Sequence, residues 1–106
     1  MQIGLLGATG PAGKALAARL ASVGYEITVG SRSKYRALEI RDEIVSSWPG
    51  KELQITAAEN IDAAKADLIV IATPWDAAAT TARSVADHLH GKVVICMSNE
   101  IARVAG

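Results

Sequence analysis

With a single cysteine, Cys96, among its 106 residues, this chain can form no internal disulfide. Cys96 lies inside the apolar run Val93 to Met97 and reads as a buried structural thiol, not a nucleophile. Charge of one sign is also missing: eleven Lys and Arg balance eleven Asp and Glu. That balance leaves no basic excess to suggest a nucleic acid or an anionic membrane as partner. No apolar run is long enough to span a bilayer: Leu68 to Ala72, like Val93 to Met97, has only five residues. The N-terminus does not resemble a signal peptide, because glycines interrupt its apolar stretch at once. Repeats, low-complexity segments and interdomain linkers are absent, and the length suits one compact domain, residues 1–106. The expectation is a cytoplasmic protein with no nucleic-acid and no membrane partner.

Clusters of reactive side chains are equally scarce. His88 and His90 are two residues apart, point to different sides of a helix, and read as surface groups near a helix C-terminus. Asp67 and Asp76 read as a strand entry and a helix N-terminal acid, and Glu59, Asp62 and Lys65 as a solvated face. No metal-ligand cluster and no Ser-His-Asp order stands out. The sequence therefore predicts no catalytic side chain and no metal.

What is present concentrates in Met1 to Gly13, MQIGLLGATGPAG. The apolar run Ile3 to Leu6 reads as a strand, Gly7 to Gly13 as a glycine-spaced turn, and an alanine-rich helix follows. Strand, glycine turn and helix make the phosphate-binding corner of a dinucleotide fold. Gly7 permits a tight turn, Gly10 lets a pyrophosphate approach the backbone, and Gly13 lets the helix pack close to the strand. Pro11 suits the first helical position, Ala12 follows it in the first turn, and Thr9 offers a hydroxyl to a phosphate oxygen. The spacing is G-x-x-G-x-x-G, one residue longer before Gly10 than the usual fingerprint.

Short apolar runs then alternate with helical patterns, which predicts a parallel sheet wound by helices. The first helix places Gly13, Leu16, Ala17, Leu20 and Val23 on one face, with Gly24 as its C-terminal cap. Glu26 to Val29 is a second strand, and Ser33 to Trp48 a second helix with Leu38, Arg41, Ile44, Val45 and Trp48 at helical spacing. Leu53 to Ala57 alternates as an edge strand does. Asn60 caps a helical turn through Ala64, and Leu68 to Ala72 reads as a strand buried on both faces. Asp76 begins a helix with Ala79, Ala82, Val85, Ala86 and Leu89 on its apolar face. Lys92 to Met97 is a fifth strand, and Ser98 to Gly106 a loop with one helical turn. The predicted architecture is α/β: a Rossmann-type, doubly wound parallel sheet of five strands in the order 3-2-1-4-5. In such sheets the ligand lies at the carboxyl ends of the strands, beside the switch point. Three unusual strand ends should meet there: Gly7 to Gly13, Gly30 to Arg32, and Thr73-Pro74-Trp75.

The second strand end indicates which dinucleotide. NAD-preferring folds carry an acidic residue there for the ribose hydroxyls, and that carboxylate would repel a 2′-phosphate. Here Gly30, Ser31 and Arg32 occupy the position, with Lys34 and Arg36 just beyond. A hydroxyl and a guanidinium suit a phosphate dianion. The competing reading is that Ser31 caps the second helix while the cations form a solvated surface. NADP is the predicted cofactor.

The stretch GLLGATGPAGKALAARLASVGYEITVGSR closely resembles the N-terminal domain of NADPH-dependent reductases of the deazaflavin coenzyme F420. ADLIVIATPWDAAATTA and GKVVICMSNEIARV resemble the fourth and fifth strand regions of the same family. The resemblance implies direct hydride transfer between nicotinamide and deazaflavin, with no protein acid, base or nucleophile in that step. It assigns Thr9 to Ala12 to the pyrophosphate, and Ser31, Arg32 and Arg36 to the 2′-phosphate. Thr73, Pro74 and Trp75 fall on the ribose and nicotinamide side. For Trp75 a core or interface role stands equally beside a nicotinamide wall. Pro11 departs from the Asn of archaeal members, which removes one backbone donor. Family members continue for roughly another domain's length, a part that helps form the deazaflavin site and the dimer. The expectation is a chain that lacks this C-terminal domain, binds NADP, forms homo-oligomers and does not reduce F420 by itself. A stand-alone NADP sensor or regulatory module, and an NADPH reductase of another flavin or of ferric iron, remain as alternatives.

Overall fold

A computed structural model describes residues 1–73 and 75–97, and for Trp75 and Asp76 the backbone alone. Five strands, β1 (Gln2–Leu6), β2 (Glu26–Ser31), β3 (Ile55–Glu59), β4 (Leu68–Ile71) and β5 (Val93–Cys96), form one sheet in the order β3-β2-β1-β4-β5. Every pairing is parallel, so each connection must cross over the sheet. Helices α1 (Pro11–Ser22), α2 (Lys34–Ser46), α3 (Asn60–Ala63) and α4 (Trp75–Ser84) lie in those crossovers, and a 3-10 turn, Ala86–His88, follows α4. This is the doubly wound architecture and strand order that the sequence predicts.

The core has two layers, one on each face of the sheet. Ile3, Leu5, Ile27, Val29, Ile55 and Val70 pack with Ala17 and Ala21 of α1 and Ile40 and Ile44 of α2. Leu6, Ile69 and Ile71 pack on the other side with Ala63 and Ala64 and with Ala78 and Val85. Within β4, Val70 serves one layer and Ile69 and Ile71 the other, which explains its unbroken apolar run. Each of the larger buried side chains contributes about 1.5–3 kcal/mol by leaving water.

Several boundaries and faces differ from the sequence reading. Strand β3 pairs from Ile55, not Leu53, because the register sets Ile55 opposite Ile27 and β2 offers no ladder before Glu26. Leu53 nonetheless packs against the core, as the alternation requires. Val23 is 70% exposed, because it sits at the C-cap of α1 after the helical phase has ended. The buried stripe of α1 is Gly13, Ala17, Ala18 and Ala21, small residues that let the helix approach the sheet. In α2 the buried residues are Ala37, Ile40 and Ile44, whereas Arg41 reaches Asp42 at 3.7 Å and Val45 is exposed. Asn60 does not cap α3: Glu59 holds that position and Asn60 is the first helical residue. Helix α4 starts at Trp75 and ends at Ser84, so Ala78 is buried while Ala79 and Ala86 face solvent. Cys96 is exposed, not buried. It lies on the edge strand β5, whose residues are exposed throughout, with Val93 at 65% and Ile95 at 48%. The predicted loop Ser98 to Gly106 falls outside the described residues.

Candidate functional site

The β1–α1 corner is shaped by Gly7. Its φ of +66° is a left-handed value that L side chains rarely adopt, and a Cβ there would overlap Thr73 Cγ2. The turn is thereby seated directly on the end of β4. The Gly7 amide donates to the Gly30 carbonyl at 2.9 Å and to Asn60 Oδ1 at 3.2 Å, and the Thr9 amide donates to the Gly7 carbonyl at 2.8 Å. These bonds occupy the amides of Gly7 and Thr9. Further on, the Lys14 amide donates to the Gly10 carbonyl at 3.1 Å as the first bond of the helix. The amides of Ala12 and Gly13 therefore lack intrahelical acceptors, and Pro11 has no amide proton to orphan. They stand at the positive end of the helix dipole.

The three glycines have different reasons. Gly13 is needed for packing: a Cβ would come within 3.1 Å of Ala72 Cβ and 3.2 Å of Ala8 Cα. At Gly10 the backbone is extended, with φ −90° and ψ 167°, and a Cβ would meet no protein atom within 4 Å. Neither the protein's packing nor its backbone geometry requires glycine at this position. A ligand lying close against the backbone would require it.

At the end of β2, Ser31 is 7% exposed and Arg32 is exposed without an ion-pair partner among the described residues. The N-cap of α2 is Ser33, so Ser31 does not cap that helix. Arg36, in the first turn of α2, reaches Glu39 at 3.0 Å and Glu43 at 4.0 Å. Glu43 also pairs with Lys14 of α1. The hydrogen-bonded Lys14 ammonium holds the Glu43 carboxyl below its usual range, and Arg36 adds a smaller effect of the same sign.

These strand ends meet in one cleft of about 570 Å³. Gly7, Thr9, Ser31, Arg32, Arg36 and Thr73, all singled out by the sequence, line it. Gly10, Pro11, Ala12 and Gly13 belong to the N-terminus of α1 just after Thr9, outside those walls. Pro74 lies outside the described residues, and of Trp75 only its place as the first residue of α4 is described. The remaining wall was not foreseen: Asn60, and Ala77, Thr80, Thr81 and Ser84 of α4. The last four fall at i, i+3, i+4 and i+7, a hydroxyl-bearing helical face that the sequence does display. Two guanidinium-bearing residues and no carboxylate line the cleft among the described residues, which suits an anion. Among the same residues no group of three or more His, Cys, Asp or Glu is placed to hold a metal, and no helix is long and apolar enough to cross a membrane.

Fold and cleft define a Rossmann-type domain with its candidate site at the switch point of the sheet. Residues 2–100 match the family model described as NADP oxidoreductase, coenzyme F420-dependent, and the chain belongs to that family. It is 34% identical over 96 residues to an F420-dependent NADP reductase of Methanothermobacter marburgensis, covering 90% of this chain and 43% of the relative. A protein of the same name from Methanocaldococcus jannaschii is 34% identical over 109 residues, covering all of this chain and 48% of the relative. Among solved structures, a candidate F420-dependent NADP reductase from an Arthrobacter species superposes with a TM-score of 0.77 at 29% identity, over 93% of this chain and 45% of that one. An imine reductase from Myxococcus stipitatus, solved with NAD+, shares the fold at a TM-score of 0.68 and 23% identity, over 92% of this chain and 31% of that one. The chain thus spans about half the length of the relatives it matches.

Proposed function

We propose that residues 1–106 form the NADP(H)-binding domain of an oxidoreductase that passes hydride between NADPH and the deazaflavin coenzyme F420. The observation that carries the reading is the cleft, which combines a glycine turn, two arginines and no carboxylate at the end of β2. In this proposal Thr9 and the amides of Ala12 and Gly13 receive the pyrophosphate beside Gly10. Ser31, Arg32 and Arg36 receive the 2′-phosphate, and Thr73, Pro74 and Trp75 border the nicotinamide ribose. Bound nicotinamide supplies the hydride chemistry, and this chain's residues bind and orient it. The F420 assignment rests on family membership, which favours it over a sensor module or a reductase of other acceptors.

The relatives are about twice as long, and the proposal gives most of the F420 surface to that additional length. It also makes the exposed apolar strand β5 an association surface, with the protein a homo-oligomer. The test is calorimetry with NADP+ and NAD+, followed by NADPH oxidation with F420 added. Tighter binding of NADP+ is expected, with hydride transfer by the chain extended to the relatives' length and none by residues 1–106 alone. Equal affinities would remove the 2′-phosphate assignment. Turnover with ordinary flavin but not with F420, by the extended chain, would remove the deazaflavin.

A further inference from the structure

Asn60 is 8% exposed, one of two buried polar residues among those described, and it lines the cleft. Its position joins three elements. It is the first residue of α3, its Oδ1 accepts the Gly7 amide at 3.2 Å, and its side chain lies against the end of β2. The last contact has a consequence for recognition. A Cβ at Gly30 would come within 2.8 Å of Asn60 Oδ1, 2.9 Å of Ala63 Cβ and 3.2 Å of Asn60 Cα, so Asn60 and Ala63 of α3 together leave no room for a side chain at position 30. Gly30 is where NAD-preferring folds carry their ribose-binding acid. Asn60 and Ala63 thus close position 30 to a carboxylate, while the next residue, Ser31, lines the cleft.

Asn60 also has a donor to offer there. An amide N–H can be accepted only by the carboxamide oxygen, so the bond from Gly7 fixes which way the group faces. The carboxamide nitrogen, Nδ2, has no hydrogen-bond partner among the described residues. Nδ2 is not sealed from solvent although the residue is buried, and beside the cleft it can donate to a ligand acceptor. Ser31, Arg32 and Ser84 share both cleft linings with Asn60, and the Glu59 carboxylate joins the second of them.

We propose that Asn60 is a specificity-determining residue for the adenosine half of the cofactor. Its oxygen holds the glycine turn, its bulk together with Ala63 excludes a carboxylate from position 30, and its Nδ2 donates to the 2′-phosphate beside Ser31 and Arg32. The proposal rests on the NADP reading above and deepens it. It requires Asn60 to act on the ratio of NADP to NAD affinity, which a purely structural role would leave unchanged.

The test compares wild type with Asn60→Asp, which keeps an acceptor for the Gly7 amide but replaces the donor by a negative charge. Calorimetry with NADP+ and NAD+ should show the affinity ratio falling about tenfold or more, since a charge-assisted bond is lost and a repulsion added. Losses of equal factor for the two nucleotides overturn the proposal. Should Asn60→Asp fail to fold by circular dichroism, the wild-type protein supplies the readout through the side-chain amide resonance of Asn60. That resonance should shift with 2′,5′-ADP and much less with 5′-AMP, which lacks the 2′-phosphate. Equal shifts, or none, overturn the role of Asn60. A wild-type protein that binds NADP+ while Asn60→Asp leaves the ratio intact refutes Asn60 alone. A wild-type protein that binds neither nucleotide refutes the NADP reading with it.

Discussion

Replacing Gly10 by valine separates what the fold needs from what a ligand needs. The position is the N-cap of α1, in an extended conformation that any residue adopts, and a Cβ there has open space for 4 Å around. Valine is a poorer N-cap residue than glycine by roughly 1 kcal/mol. Removing glycine from the unfolded chain returns about 0.4–1 kcal/mol of the opposite sign. The two nearly cancel, so the melting temperature should move by no more than about 5 °C. Binding should respond very differently. The isopropyl group would stand where the pyrophosphate must approach the amides of Ala12 and Gly13. Each charge-assisted hydrogen bond lost costs roughly 1.5–3 kcal/mol, and two of them exceed a hundredfold in affinity. The control is Gly7→Val, where a left-handed φ and the overlap with Thr73 Cγ2 should destabilise the fold by several kcal/mol. Calorimetry with NADP+ and thermal melts of both variants provide the measurement. The reasoning is refuted if Gly10→Val binds NADP+ as wild type does, or if it loses binding only in step with unfolding.

Arg32→Ala removes the guanidinium that has no internal partner, and NADP+ affinity should fall about ten- to hundredfold with NAD+ little changed; equal losses by calorimetry would rule out a 2′-phosphate contact. Arg36 must exchange its bond to Glu39 for one to phosphate, so Glu39→Gln should tighten NADP+ binding up to about fivefold at low ionic strength. Weaker binding would show that Glu39 instead holds Arg36 in its productive position. The Glu43 carboxyl titrates below its ordinary value of 4.5 because Lys14 bonds it, so its pairing stabilises the fold above that value and ceases to do so as pH falls through the lowered one. Thermal melts from neutral pH down to acid should show Glu43→Gln losing less stability than wild type over that window, and parallel curves would contradict the assignment. For β5, Val94→Lys or Ile95→Lys should convert a self-associated protein to monomer in sedimentation; a wild type already monomeric would dispose of β5 as an association surface.

Periodicity carried most of the fold. The apolar runs at Ile3, Ile27 and Leu68 mark strands from their own residues, and the unbroken run of β4 marks it as buried on both faces. Boundaries were less legible for a reason that lies between strands. Leu53 alternates as well as Ile55 does, but only the register with β2 decides where pairing starts. In the same way the burial of Val93 to Cys96 depends on what covers the strand and not on its apolarity, which is why Cys96 was misjudged.

The site divides along a similar line. Residues whose chemistry is local, such as Gly7, Thr9, Ser31 and Arg32, were found from their own spacing and do line the cleft. Asn60 was not, because its role depends on Gly7 and Gly30, respectively 53 and 30 positions earlier in the chain. In sequence Gly30 is merely a missing acid and Asn60 merely a helix starter. In the fold the two meet, since Asn60 and Ala63 together occupy the volume that a side chain at position 30 would need. It follows that Gly30→Asp alone should destabilise the protein without conferring NAD preference. Converting the ribose pocket requires Gly30→Asp together with smaller residues at both position 60 and position 63, since Ala63 Cβ alone stands 2.9 Å from the new Cβ. If the triple variant Gly30→Asp with Asn60→Gly and Ala63→Gly recovers stability relative to Gly30→Asp and shifts the affinity ratio toward NAD+, the three positions act as one unit. If the single variant is stable and already prefers NAD+, the absence of an acid from β2 has some cause other than Asn60 and Ala63.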